Sequence, residues 1–133
     1  CREDNPSTTN RFKLPPTLVR PTYVFLHQKL NNESEAEMKF GLFDHVDMND
    51  RPLAQQLDER IAFVSAAEEA GFYSYHVAEH HATPLNMVPV PGVYLGAVAH
   101  ATTHIRLGPL GYLLPLYSPL RLIEEICILD HLC

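Results

Sequence analysis

The chain has 133 residues, 46% of them hydrophobic, and a formal net charge of −6. That length fits one domain, and that apolar content argues against wholesale disorder. The acidic balance speaks against a nucleic-acid-binding face, and no run of about eighteen apolar residues predicts a membrane span. Cys1, Cys127 and Cys133 form no C-x-x-C pair, so neither a thiolate zinc site nor a disulfide framework is expected. With no secretory signal visible at the N-terminus, the expected location is the cytoplasm.

Residues 1–37 carry five basic and five acidic side chains, with Pro15, Pro16, Pro21 and Asn31-Asn32 and no sustained period. They read as disordered or loosely structured. Periodic apolar pattern begins at Met38, so residues 1–37 are expected to be a leader foreign to the fold and 38–133 the folded part. Lys39–Phe43 predicts a buried strand. After a polar stretch ending at Pro52, Leu53, Leu57, Ile61, Val64 and Ala67 recur at helical spacing, and Gly71 ends that helix. Phe72–Val77 predicts a second strand, Pro84–Pro91 a loop, and Val93–Thr103 a small-residue helix. Ile105–Leu114 predicts a third strand, and Pro119–Leu132 a helix with Leu122, Ile123, Ile126 and Leu129 facing inward. Strands alternating with helices imply βαβ crossovers and a parallel sheet. The fold class is therefore α/β. Three βα units leave edges open, whereas a (β/α)8 barrel needs eight units and about 250 residues. The chain is expected to be the N-terminal piece of such a barrel, and prone to aggregate alone.

Chemistry in parallel α/β folds gathers at the C-terminal ends of strands. Asp44-His45, Glu79-His80-His81 and the Gly108–Gly111 segment all fall there. His45, His76, His80 and His81 are possible metal ligands, but adjacent histidines leaving a strand point to opposite sides, and no metal is expected. His76 is expected to pack within its strand, and His100, His104 and His131 to be solvated. A carboxylate beside an imidazole suits proton transfer near neutral pH. The residues alone leave that reading level with a structural Glu–His network. Glycines inside the third strand mark either a bulge or a close backbone approach to a flat ligand.

MKFGLF, EEAGFYSYHVAEHH, HIRLGPLGYLLPLYSPLRLIEE and ILDHL occur in this order between Met38 and Leu132. In sequence and spacing this part resembles the luciferase-like flavin-dependent monooxygenases. The resemblance implies the first three βα units of a (β/α)8 barrel, and reduced FMN acting with O2. It implies that His80 gives acid–base assistance beside the flavin, with His81 and Glu79 shaping the same catalytic site. It implies a non-prolyl cis peptide at Leu110-Gly111 beneath the flavin ring, flanked by Gly108 and Tyr112 as further cofactor-binding residues. Asp44 and His45 are implied, more weakly, to line the substrate pocket.

The implied partners are a small organic substrate, a flavin reductase or NAD(P)H as electron source, and a second copy in a full-length dimer. The flavin phosphate would be held mostly by family segments beyond residue 133, so the fragment alone is expected to be inactive. Other readings are a deazaflavin-dependent dehydrogenase of the same superfamily, a non-catalytic flavin-binding protein, and a metal-dependent barrel hydrolase.

Overall fold

The computed structural model describes residues 23–28, by backbone, and 38–133. Its elements run β1 (Tyr23–Gln28), β2 (Met38–Asp44), α1 (Leu53–Glu69), β3 (Ser74–Val77), α2 (Pro91–Ala101), β4 (Arg106–Pro109), a 3-10 turn at Leu114–Leu116, and α3 (Pro119–Leu132). The sheet order is β1-β2-β3-β4. β2, β3 and β4 are parallel, with Gly41 opposite Ser74 and Ser74 opposite Arg106. The three expected βα units are all present.

β1 departs from the sequence reading. It pairs antiparallel with β2 along its whole length, Tyr23 opposite Phe43 and Gln28 opposite Met38. The β2 edge, expected to be open, is therefore taken. The rest of the expected leader, 1–22 and 29–37, lies outside the described residues.

Strand alternation divides the side chains between two faces. Leu42, Tyr75 and Val77 turn toward the helices and build the core with Val64, Ala67, Leu95, Val98 and Leu129. Gly41, Phe43, Ser74, His76 and Gly108 share the opposite face by register. Each helix starts or stops where local chemistry requires. α1 ends in a Schellman arrangement: the Phe72 N–H reaches the Ala67 carbonyl, the Gly71 N–H reaches that of Glu68, and Gly71 sits at φ +85°. α2 begins at Pro91, which needs no N–H partner in the first turn, and so absorbs the end of the expected loop.

Two expectations are corrected here. The third strand does not run to Leu114 but stops at Pro109, and beyond it the Leu113 N–H is taken up by a carboxylate from another loop. On α3 only Leu122 and Leu129 are buried, one face seven residues apart, whereas Ile123 and Ile126 are exposed. Neighbouring Leu120, Ile128 and Leu132 are exposed too, so the outer side of α3 is strongly apolar.

Glu68 joins the first and second units. Its Oε1 accepts hydrogen bonds from the backbone N–H groups of Thr103 (2.8 Å), His104 and Ile105 (2.8 Å), filling an anion nest at the start of β4. Burial acts to raise its pKa, but the three N–H donors outweigh it and hold the carboxyl below its ordinary value. A depressed folded-state pKa stabilises above the unfolded value and is lost as pH falls through the folded one. Because Glu68 is largely solvated, which screens these bonds, Glu68→Ala is expected to destabilise the fold only modestly at pH 7, by about 1 kcal/mol or less. The difference from wild type should shrink toward pH 3 in urea denaturation. A difference that stays constant with pH would contradict the nest.

Candidate active site

The C-terminal ends of β2, β3 and β4 open on one rim. The loops after β2 and β3 are stitched together by main chain: the Met48 N–H reaches the Pro84 carbonyl (2.8 Å) and the Met87 N–H that of Val46 (3.0 Å). Asn86, buried, adds three more bonds. Its side-chain amide donates to the Ala78 and Val88 carbonyls, and its Oδ1 accepts from the Val88 N–H. Val46 and Ala82 both adopt left-handed backbone, φ 49° and 51°. For a β-branched residue this is an outlier costing about 1–3 kcal/mol, and such residues cluster at functional sites. Val46 is wholly buried, its N–H bonded to Asp44 Oδ1 and its carbonyl to Met87.

Asp44 does not do what was expected of it. Alternation turns its side chain to the helix side, away from the face of Phe43. Its carboxylate accepts from the Val46 N–H (3.0 Å) and the Tyr75 hydroxyl (2.9 Å), with the Arg60 guanidinium 3.5 Å away. Tyr94 Oη lies 3.2 Å from Tyr75 Oη. Burial first, and then Tyr94 and Asp44, push the Tyr75 hydroxyl well up; burial raises Tyr94 to about 12 against the lowering effect of its bond with Tyr75, so both stay protonated. Asp44 thus fixes the loop that carries His45.

His45, on the other face, sits in a line of rings. Phe43 meets it edge-on at 4.7 Å between centroids, and His80 stacks on it at 5.4 Å with an 18° interplanar angle. His80 is half-buried and His81 exposed. Glu79, buried, reaches across to β4: its Oε1 accepts from His81 Nε2 (2.8 Å) and its Oε2 from the Leu113 N–H (2.9 Å). The Tyr117 hydroxyl also donates to it. Burial and this carboxylate push the Tyr117 hydroxyl far up; burial and then Glu125, which accepts from it at 3.1 Å, raise Tyr112 to about 12. Tyr112 and Tyr117 pack edge-to-face at 5.1 Å.

Between these groups lies the Leu110-Gly111 peptide, which is cis, as the resemblance implies. A side chain added at Gly111 would meet nothing within 4 Å, so the surface over this backbone is open. Gly108 lies opposite His76, and a Cβ there would rest against the imidazole at 3.5 Å. Leu110, Leu113 and Leu114 are exposed and make the surroundings apolar.

The structure therefore brings Glu79, His80, His81, His45, Leu110, Gly111 and Tyr112 to one rim and takes Asp44 away from it. Sequence reasoning missed Tyr117 and Asn86. Tyr117 stood inside the quoted PLYSPL motif, and Asn86 among three prolines is a loop-organising residue by type. Among the described residues no cluster of three His, Cys, Asp or Glu side chains could hold a metal ion, and no helix is long and apolar enough to cross a membrane.

A parallel sheet with its titratable groups gathered at the carboxyl ends of the strands is the plan of an α/β enzyme. The family model for luciferase-like monooxygenases matches residues 38–133, and the chain belongs to that family. It is 46% identical over 97 residues to the uncharacterised protein y4wF of Sinorhizobium fredii, covering 73% of this chain and 28% of that protein. It is 32% identical over 95 residues to the oxygenase component of flavin-dependent trigonelline monooxygenase from Acinetobacter baylyi, covering 70% and 26%. A solved structure, the oxygenating constituent of 3,6-diketocamphane monooxygenase from Pseudomonas putida in complex with FMN, aligns with a TM-score of 0.65 at 29% identity. That match covers 69% of this chain and 26% of the other. The chain thus spans little more than a quarter of the length of the relatives it matches.

Removing the Glu79 carboxylate should release the segment after the cis peptide. Glu79→Ala is expected to speed hydrogen exchange of the Leu113 amide at least tenfold, with α1 amides unchanged. Unchanged protection at Leu113 would show that Glu79 does not anchor the segment.

Proposed function

We propose that the complete protein is a flavin-dependent monooxygenase that uses reduced FMN and O2 on a small organic substrate. The observation that carries this reading is the open backbone at Gly111, where an added side chain would meet nothing within 4 Å, in the Glu79-anchored segment on the rim that also carries His80. The residues present fit a flat ring: bare backbone at Gly111, apolar side chains at Leu110 and Leu113, and imidazoles at the edge. The family membership of residues 38–133 supports it as well.

Reduced FMN, when bound, would supply the two electrons with which one oxygen atom of O2 enters the substrate and the other leaves as water. The chain's own residues would set the conditions for that exchange. His80 would hold or pass a proton at a ring nitrogen, the task for which imidazole suits neutral pH. His81 is held through Nε2 by Glu79. Glu79 accepts from three donors, so its role is to position and not to release a proton. Leu110, Gly111 and Tyr112, flanked by Gly108, would form the surface under the ring. Leu110 and Leu113 would help exclude water from it. Electrons would come from NAD(P)H, directly or through a separate flavin reductase, in a cytoplasmic, dimeric protein.

The test uses the complete protein with enzymatically reduced FMN and follows oxygen uptake against a substrate panel. His80→Ala is expected to lower kcat about 10²- to 10⁴-fold, with FMN affinity changed only a few-fold. Full activity in His80→Ala would remove His80 from the chemistry. Hydride transfer to substrate without oxygen uptake would replace the reading with a deazaflavin-type dehydrogenase, and stoichiometric metal without flavin with a hydrolase.

A further inference from the structure

The segment from Leu110 to Leu116 leaves β4 with little core packing: Leu110, Leu113, Leu114 and Leu116 are all exposed. Its course is set by anchors, and Gly111 lies between two of them. On one side the Leu110 N–H reaches the Val77 carbonyl at 2.9 Å. On the other the Tyr112 hydroxyl donates to Glu125 Oε1, 3.1 Å away on α3. The Glu125 side chain passes the start of α2 at Gly92, where a methyl group would overlap its carboxyl. Alanine forms helix better than glycine, so helix propensity does not select Gly92; the approach of Glu125 does. The Tyr112 ring also packs edge-to-face on Tyr117, whose hydroxyl donates to Glu79. The backbone at Gly111 is thereby tied to α3 and to the loop after β3.

We propose that Glu125 is a positioning residue for the flavin surface: through the Tyr112 hydroxyl it holds the Gly111 backbone in place for the ring, and Gly92 is the residue that admits it. This role rests on the flavin reading of the rim. Glu125 acts through Tyr112 and not on the ring itself. A hydrogen bond to a carboxylate is stronger than one between neutral groups. A surface held ready before binding also spares the ligand the work of ordering it.

The place of Glu125 on its helix points the same way. Leu122, Glu125 and Leu129 fall at i, i+3 and i+7, one stripe of α3, and both leucines of that stripe are buried. Glu125 is half-buried between them. An apolar side chain would pack there without losing hydration, whereas a carboxylate must recover its hydration through a donor. Tyr112 is that donor. The carboxylate is therefore present for the bond it makes to the segment after β4, and ordinary helix packing would not select it.

The test is a double-mutant cycle on the complete protein, read by the quenching of FMN fluorescence. Tyr112→Phe and Glu125→Ala are each expected to weaken FMN binding about tenfold, and the double variant no more than either alone. Glu125→Gln, which keeps an acceptor oxygen, is expected to stay within about threefold of wild type. Gly92→Ala should weaken FMN binding as Glu125→Ala does, although alanine is the better helix former. Additive losses in the double variant would overturn the proposal. So would full FMN affinity in Glu125→Ala at a lowered melting temperature, the mark of a packing residue. If Glu125→Ala does not fold, full FMN affinity in Tyr112→Phe overturns it. A second readout needs no flavin: hydrogen exchange at the Leu110 and Leu114 amides, on either side of Tyr112. Exchange is expected to speed in Glu125→Ala and in Tyr112→Phe but not in Glu125→Gln, and unchanged exchange in the first two would overturn the proposal. A wild type that takes no FMN would undo the flavin reading, and the exchange result would still decide whether Glu125 holds the Gly111 segment.

Discussion

Glu79 leaves the end of β3 and spends its carboxylate on three donors from different parts of the rim: His81 in its own loop, the Leu113 N–H beyond β4, and the Tyr117 hydroxyl ahead of α3. A buried carboxylate is costly unless hydrogen-bonded, and here the donors are what make its burial tolerable. The same bonds fix where the backbone goes after Pro109. With Leu113 tied to Glu79, the Leu110-Gly111 peptide is held between β4 and an anchored loop. Without that tie, the segment from Leu110 to Leu116, whose leucines are exposed, would be held to the rest of the fold by little more than the Leu110 N–H on Val77 and the Tyr112 hydroxyl on Glu125.

The other side of the rim depends on a second carboxylate, used in the opposite direction. Asp44 and Glu79 both follow parallel strands. Asp44 turns to the helix layer and bonds to Tyr75, whereas Glu79 reaches sideways to the next strand's loop. Asp44 fixes Val46 in left-handed backbone, and that in turn sets the course of the loop carrying His45. The two acids therefore do the same kind of work at neighbouring strands. Each turns a flexible loop into a defined support for an imidazole, and the imidazoles meet in the stack of His45 on His80.

Much of this was legible in the sequence, for identifiable reasons. The parallel units followed from the spacing of apolar residues, and Gly71 and Pro119 marked helix limits by their backbone preferences. The cis peptide was placed at Leu110-Gly111 by resemblance, since no property of two glycines and a proline specifies it. Glu79 and the histidines were found because they are adjacent. Their partners were not, because Leu113 is 34 positions away from Glu79 and Tyr75 31 from Asp44. Which face Asp44 takes was implicit in strand alternation: once Leu42 is in the core, Asp44 follows it. β1 was missed although Tyr-Val-Phe-Leu is a run of β-formers, because flanking prolines and asparagines outweighed a four-residue signal.

The central claim is that the rim formed by Glu79, His80 and the Leu110-Gly111 peptide is built to receive a flavin ring. The most direct measurement is a crystal structure of the complete protein with FMN. The expected result is the ring lying against the Leu110-Gly111 backbone with the His80 imidazole at its edge. FMN seated elsewhere, with open solvent over Gly111 and His80, would contradict it.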